Sequence, residues 1–208
     1  MERKNIAYLL IGIGAILIFF QFIFWFGTSW QITNYPPRGG SIVAFGDSLV
    51  LGVGATDGRD FVALLSEMIG EPIENFGSSG DTTAIGLARI GQVVEKHPRI
   101  VILLLGGNDY LRQIPREQTF KNLETIISRL QSDGVLVVLL GVRGGLLIDH
   151  FDTDFEMLAK RMHTAYVQNV LDGLFGNARF MSDGIHPNDE GYRLIAEKIY
   201  PVLSRVLY

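Results

Sequence analysis

A serine that follows a short apolar run is the feature of this sequence with the clearest chemical meaning. Ser48 lies in the sequence Gly-Asp-Ser-Leu at positions 46–49, directly after the apolar residues 42–45. In α/β proteins, reactive side chains lie at the carboxyl ends of buried strands, which is where this pattern places the hydroxyl. Because a serine hydroxyl is a weak nucleophile, it needs a neighbouring base and a group that orients that base.

An acid and a histidine near the end of the sequence supply that pair. Asp183 and His186 lie three residues apart in Asp-Gly-Ile-His-Pro at 183–187, where the glycine and the proline favour a compact loop. Taken alone, this pattern is more typical of an ordinary turn with an exposed histidine. Together with Ser48 it predicts a catalytic triad, with His186 as the base and Asp183 orienting it.

Two further segments offer hydrogen-bond donors for the oxyanion that forms when a serine attacks a carbonyl group. Gly80 lies in residues 75–83, which run from a predicted strand to a predicted helix, and its lack of a Cβ permits close approach. Asn108 follows another apolar strand in Gly-Gly-Asn-Asp at 106–109, and its carboxamide donates without adding charge. Each segment alone is consistent with a turn. Their positions at successive strand ends predict an oxyanion hole, whose donors typically contribute about 3 to 4 kcal/mol each.

Strands and helices alternate along the chain from residue 41 onward, and these elements would position the polar residues. The alternation predicts a parallel sheet covered by helices on both faces. We expect strands at 42–45, 73–76, 100–105, 135–140 and 165–167. Apolar residues at three- and four-residue spacing predict helices at 61–69, 82–96, 115–131, 154–163 and 189–203.

With these residues in this order, the chain resembles the SGNH (GDSL) hydrolase family, whose four characteristic residue types are found here as Ser48, Gly80, Asn108 and His186. The resemblance spans about residues 41–203 and favours the bacterial arylesterase, thioesterase and lysophospholipase branch, although Ser78 replaces a residue that is more usually apolar. It implies an α/β, flavodoxin-like three-layer α/β/α sandwich with a five-stranded parallel sheet. It also implies an oxyanion hole made by the Ser48 and Gly80 amides and the Asn108 side chain, with no cofactor and no metal ion.

The resemblance implies a serine esterase that cleaves carboxylic ester bonds, including those of thioesters or lysophospholipids, through an acyl-enzyme on Ser48. Two alternatives stay open on the sequence. One is a carbohydrate O-acetyl esterase or acyltransferase with the same four residues, and the other is a membrane-tethered binding module with an inactive site. The substrate is expected to be an amphiphilic acyl ester. The side chains expected to contact it are Leu49, Asp109, Tyr110, Leu146 and Ile148.

Composition limits the other classes of function. The 208 residues carry a formal net charge of -4 and show no basic stripe, which disfavours nucleic acid as a partner. The absence of cysteine excludes disulfides, a thiolate nucleophile and cysteine-ligated zinc. Residues 52–58 are rich in glycine, but they do not follow a strand directly. A dinucleotide site is therefore disfavoured, and we expect a mobile loop at the rim of the site.

The first 28 residues differ from the rest of the chain. An apolar run begins at Ile6 and ends at Phe26, and it would form about 32 Å of helix, enough to cross the roughly 30 Å hydrocarbon core of a bilayer. Arg3 and Lys4 precede the run, which predicts a cytoplasmic amino terminus and a catalytic domain on the periplasmic or other extracytoplasmic side. A cleaved signal peptide, which would release a secreted enzyme, is the alternative. The predicted organisation is an anchor (1–28), a linker rich in proline and glycine (29–40) and a catalytic domain (41–208).

Overall fold

The computed structural model describes residues 31–143 and 151–207 of the chain. The described residues from Ile32 onward form one compact unit. No helix in these two ranges is long and apolar enough to cross a bilayer. The predicted membrane segment, from Ile6 to Phe26, lies outside the described residues, as do Leu146 and Ile148.

Five parallel strands form the central sheet. They are β1 (Ile42–Gly46), β2 (Ile73–Gly77), β3 (Ile100–Leu104), β4 (Leu136–Leu140) and β5 (Ala165–Val167). Their order across the sheet is β2-β1-β3-β4-β5, which is the flavodoxin-like order. Each strand begins and ends within one residue of its predicted bounds, so the predicted five-stranded parallel sheet is confirmed.

Helices cover both faces of this sheet. They are α1 (Ser48–Leu51), α2 (Phe61–Ile69), α3 (Thr83–Val94), α4 (Gly107–Leu111), α5 (Arg116–Ser132), α6 (Phe151–Met162) and α7 (Asp189–Val206). α2 packs against α7, while α5 packs against both α3 and α6. Every residue of β1, β3 and β4 is consequently buried, which is why these strands are continuous apolar runs in the sequence.

The two short helices, α1 and α4, begin just after β1 and β3 and are absent from the sequence prediction. α1 begins at Ser48 because Asp47 caps it, with Asp47 Oδ1 accepting the Leu49 N–H at 3.0 Å. α4 follows Gly106, whose φ of 120° lies in a region that favours glycine. These helices carry Ser48 and Asn108, so both polar residues lie at the carboxyl edge of the sheet.

Part of the predicted linker contacts the opposite, amino-terminal edge of the sheet. Ile32 packs against the core, and the Thr33 N–H donates to the His163 carbonyl oxygen at 2.8 Å. Asn34 Nδ2 donates to the carbonyl oxygens of Gln131 and Val135, each at 2.9 Å. The chain therefore enters the domain at the edge that lies across the sheet from Ser48.

Candidate active site

Ser48 lies at the first position of α1, where β1 delivers it to the carboxyl edge of the sheet. The residue is 8% exposed, so its hydroxyl faces a nearly enclosed site. Gly46 permits the close approach of β1 and β3 beside it. A Cβ at residue 46 would lie 2.1 Å from the Leu104 carbonyl oxygen, so a larger residue would push the two strands apart.

The turn formed by residues 182–187, which we call the histidine turn, brings the acid and the base to Ser48. His186 Nε2 lies 3.0 Å from Ser48 Oγ, and His186 Nδ1 lies 2.7 Å from Asp183 Oδ2. The three predicted residues thus form one hydrogen-bonded chain. In this arrangement a histidine can take the serine proton while the carboxylate fixes the orientation of the imidazole ring.

Asp183 is held in place by its own turn. Its Oδ1 accepts the N–H groups of Ile185 and His186 at 2.8 and 2.7 Å, while Oδ2 bonds to the imidazole. The hydrogen bond to the His186 side chain, helped by the two backbone bonds, lowers the pKa of Asp183 to about 2. The carboxylate therefore stays ionised at neutral pH and keeps its hold on the imidazole.

Asn108 and Gly80 lie in the segments that follow β3 and β2. Asn108 Nδ2 donates to the Asp81 carbonyl oxygen at 3.0 Å, which joins α4 to the loop that contains Gly80. Gly80 has a φ of 81°, a conformation that favours glycine. In the part of the chain that the structure describes, no acceptor is bonded to the N–H of Ser48 or of Gly80. Asn108 Nδ2 also donates to Asp47 Oδ2 at 3.4 Å, and Asn108 lines the pocket that contains Ser48, whereas Gly80 does not. The oxyanion hole made by the Ser48 and Gly80 amides and the Asn108 side chain stays a prediction.

A family model agrees with this arrangement. The model of the GDSL-like Lipase/Acylhydrolase family matches residues 44–194, which include every residue of the predicted triad and oxyanion hole. The chain belongs to this family. The predicted family is therefore confirmed.

Individual relatives in the family support the predicted branch. The chain is 31% identical over 179 residues to an esterase of Pseudomonas aeruginosa, TesA, with 80% of this chain and 89% of that protein covered. It is 29% identical to an Escherichia coli protein named Thioesterase 1/protease 1/lysophospholipase L1, with 76% of this chain and 80% of that protein covered. A crystal structure of TesA matches the fold with a TM-score of 0.75 and 31% identity, covering 80% of this chain and 99% of that one.

Two arginines outside the four GDSL-family motifs hold the loop around Gly80. Arg112, which follows α4, donates from Nη2 to the Gly80 carbonyl oxygen at 2.8 Å. Arg89, on α3, forms a largely buried ion pair with Asp81 and donates to carbonyl oxygens at the ends of β1 and β2 at 2.7 and 2.9 Å. No spacing rule in the sequence links these arginines to their acceptors, so these contacts could not be predicted.

Asp109 has a different place from the one expected. It is completely buried, and its Oδ2 accepts the Thr83 N–H at 2.8 Å. Its Oδ1 accepts the hydroxyls of Thr83 and Thr119 at 2.5 and 3.3 Å. Asp109 therefore has no surface with which to contact a substrate. Instead it joins α4, which carries Asn108, to the first turn of α3.

Asp47 is the titratable group most affected by burial in the site. Burial, helped by the neighbouring carboxylates of Asp81 and Asp109, raises the pKa of Asp47 to about 7. The bond from the Leu49 N–H and the proximity of His186 oppose this rise. The Asp47 carboxyl group thus holds its proton to near neutral pH, directly beside the serine.

Replacing Asp47 with asparagine is expected to change how stability depends on pH. An exposed aspartate titrates near pH 3.9, so between about pH 4 and pH 7 the folded protein binds more protons than the unfolded chain. The contribution of Asp47 to the free energy of unfolding of the wild type therefore falls as pH rises through this range. Asp47→Asn removes this pH-dependent decrease in the unfolding free energy, because asparagine does not titrate. It retains an acceptor for the Leu49 N–H. The unfolding free energy of Asp47→Asn minus that of the wild type should therefore increase by up to about 4 kcal/mol from pH 4 to pH 8.

Urea unfolding of both proteins at several pH values measures this difference. A difference in unfolding free energy that is the same at pH 4 and pH 8 would show that folding does not raise the pKa of Asp47.

An apolar groove lies beside the small pocket that holds Ser48. The pocket has a volume of about 60 Å³ and the groove about 550 Å³, and both are lined by Leu111, Phe175 and Ile185. Of the predicted substrate contacts, Leu49 lines the pocket and Tyr110 lines the groove. The pocket and the groove are therefore neighbours, separated by side chains that line both.

Residues 175–178 also line the groove, although nothing in the sequence pattern singled them out. Phe175 comes from this segment, which lies between β5 and the histidine turn. The available signal was its place in the sequence, because a segment that leaves the carboxyl end of a strand begins at the edge where the site lies.

In residues 31–143 and 151–207, no group of three or more His, Asp or Glu side chains is arranged to hold a metal ion.

Proposed function

We propose that this chain is a serine hydrolase that cleaves carboxylic ester bonds through an acyl-enzyme on Ser48. The observation that carries the proposal is the hydrogen-bonded chain from Ser48 Oγ to His186 at 3.0 Å and from His186 to Asp183 at 2.7 Å. Membership of the GDSL-like family, and relatives named esterase and thioesterase, support it.

The reaction follows from the positions of these groups. His186 Nε2 accepts the hydroxyl proton as Ser48 Oγ attacks the ester carbonyl carbon, and the negative charge that develops on the carbonyl oxygen receives N–H bonds from Ser48, Gly80 and Asn108. His186 then donates the proton to the leaving alcohol or thiol, which leaves an acyl group on Ser48. A water molecule, deprotonated by His186, attacks the acyl-enzyme and releases the carboxylic acid.

The apolar groove supports an amphiphilic acyl ester as the substrate. Its walls include Tyr110, Leu111, Phe175, Met181 and Ile185, whose apolar surface suits an alkyl chain. A methylene group that leaves water for such a surface gains about 0.8 kcal/mol. Each additional methylene that fits the groove should therefore raise kcat/KM by up to about fourfold.

The amino-terminal segment completes the proposal. The run from Ile6 to Phe26 anchors the chain in a membrane, and the basic residues Arg3 and Lys4 place the catalytic domain on the extracytoplasmic side. An ester with a polar head and an acyl chain is a suitable substrate for an enzyme that works beside a bilayer.

One experiment tests both parts of this function. Cells that express the full chain are fractionated, and the membrane and soluble fractions are assayed in detergent with p-nitrophenyl esters from acetate to palmitate. We expect activity in the membrane fraction, with kcat/KM rising from acetate towards medium or long chains. Hydrolysis of acetate alone would contradict the acyl-chain proposal, and activity found only in the soluble fraction would contradict the anchor.

A further inference from the structure

The glycine-rich loop of residues 52–58 takes no part in the proposed reaction. It is nevertheless hydrogen-bonded directly to the nucleophilic residue. The N–H groups of Gly52 and Val53 both donate to the Ser48 carbonyl oxygen, at 3.1 and 3.0 Å. Gly52 ends α1 with a φ of 89°, which turns the chain sharply away from the helix. The first residues of this glycine loop are therefore fixed with respect to Ser48.

The other side of the glycine loop is bonded to α7. Tyr192, which is fully buried, donates its hydroxyl to the Val53 carbonyl oxygen at 2.8 Å. The N–H and the hydroxyl of Thr56 donate to Oδ1 and Oδ2 of Asp189, at 2.7 and 2.8 Å. α7 begins at Asp189, immediately beyond the histidine turn. The loop expected from the sequence to be mobile is thus bonded at both ends.

Gly54 brings the glycine loop into contact with the histidine turn itself. A Cβ at this position would lie 2.2 Å from Ser182 Oγ and 2.5 Å from the Pro187 carbonyl oxygen, so only glycine fits. Ser182 in turn donates from its N–H and its hydroxyl to the His186 carbonyl oxygen, at 2.9 and 3.1 Å. A displacement at residue 54 would therefore pass directly to the backbone of His186.

We propose that the glycine loop positions the histidine turn relative to Ser48, with Gly54, Thr56 and Asp189 as positioning residues. This inference rests on the proposed function. Ser48 and His186 are 138 residues apart, and the bonds of the loop form a short path between them. The pair of Asp183 and His186 lies within the turn and would move with it. A displacement of about 1 Å between reacting groups can reduce a rate about 100-fold. We therefore expect these contacts to affect the rate at which His186 accepts the Ser48 proton.

Gly54→Ala tests this role, and Gly58→Ala is its matched control in the same loop. Both glycines have positive φ, 95° and 74°, so alanine strains the backbone at each. A Cβ at residue 58, however, would meet no atom of the described residues within 4 Å. We expect Gly54→Ala to lower kcat for a p-nitrophenyl ester about 100-fold with KM changed less than about threefold. Gly58→Ala should keep kcat within about threefold of wild type.

The bond between Thr56 and Asp189 gives a milder test, which applies even if Gly54→Ala fails to fold. Thr56→Val removes the hydroxyl donor, Thr56→Ser retains it, and Asp189→Ala removes both acceptor oxygens. We expect kcat to fall about tenfold in Thr56→Val, to recover in Thr56→Ser and to fall at least tenfold in Asp189→Ala. Circular dichroism melting accompanies each assay, because a purely structural role would lower the melting temperature without this selective loss of kcat.

The outcomes separate the inference from the proposed function. Equal losses in Gly54→Ala and Gly58→Ala, or an unchanged kcat in Asp189→Ala, would overturn the positioning role while the wild type remains an active esterase. A wild type that hydrolyses no ester would overturn the proposed function, and the positioning role with it.

Discussion

Ser48→Ala is expected to lower kcat for ester hydrolysis at least about 10,000-fold, because it removes the atom that forms the acyl-enzyme. The remaining groups can still bind the ester and polarise its carbonyl, so KM should change little. The Ser48 hydroxyl bonds to His186 rather than to an element of the fold, so the variant should fold as the wild type does. Initial rates with a medium-chain p-nitrophenyl ester, with circular dichroism as the check on folding, measure the effect.

Ser132→Ala provides the matched control. Ser132 ends α5, and its hydroxyl donates to a helix carbonyl oxygen at 2.8 Å on an exposed surface. Its removal should leave kcat unchanged. If Ser48→Ala retained a rate close to that of the wild type and of this control, Ser48 would not be the nucleophile.

Asn108→Ala is expected to lower kcat about 100- to 1,000-fold, because the lost carboxamide is one of the donors proposed for the oxyanion. The oxyanion exists in the transition state, so KM should change far less than kcat. The substitution also removes the bond to the Asp81 carbonyl oxygen, which frees the loop that carries Gly80. Steady-state kinetics with the same ester separate kcat from KM.

Asn34→Ala is the control for a lost carboxamide. Asn34 Nδ2 donates to two carbonyl oxygens, each at 2.9 Å, at the amino-terminal edge of the sheet. Its loss should lower the melting temperature without lowering kcat. An Asn108→Ala variant whose kcat equals that of Asn34→Ala would remove Asn108 from the oxyanion hole.

The sheet could be predicted from the sequence because its strands are buried on both faces. Each of β1, β3 and β4 is an unbroken apolar run that a glycine or a polar residue ends, so the run and the strand coincide. The short helices α1 and α4 could not be predicted, because four or five residues are too few to show a helical period.

The start of α6 shows how tertiary contacts override local signals. The sequence predicts a helix from Asp154, where acidic residues favour a first turn. The observed helix already includes Phe151, three residues earlier. The Phe151 ring lies 5.4 Å from the Phe120 ring and 5.5 Å from the Tyr110 ring, so packing against α5 and α4 draws this residue into the helix.

In the site too, residues placed by local sequence could be predicted, whereas contacts between distant segments could not. Asp183 and His186 could be paired from the sequence because both lie in one turn, and Ser48 and Asn108 because each ends a recognisable strand. The groove wall at Phe175 is formed by segments that are far apart in the chain, and no spacing pattern in the sequence predicts that these segments meet. Asp109 does not line the pocket, although its neighbour Asn108 does, because the Asp109 side chain is buried against Thr83 and Thr119.

Covalent labelling tests the central claim most directly. Purified full-length protein in detergent is treated with a fluorophosphonate, digested and mapped by mass spectrometry, with Ser48→Ala treated in parallel. Only a serine activated by a neighbouring base should react at an appreciable rate. We predict a single phosphonate adduct on the peptide that contains Ser48, formed as activity is lost and absent from the variant. An inactivated protein that carries its adduct on another residue, or an active protein that the probe leaves unmodified, would contradict a nucleophilic Ser48.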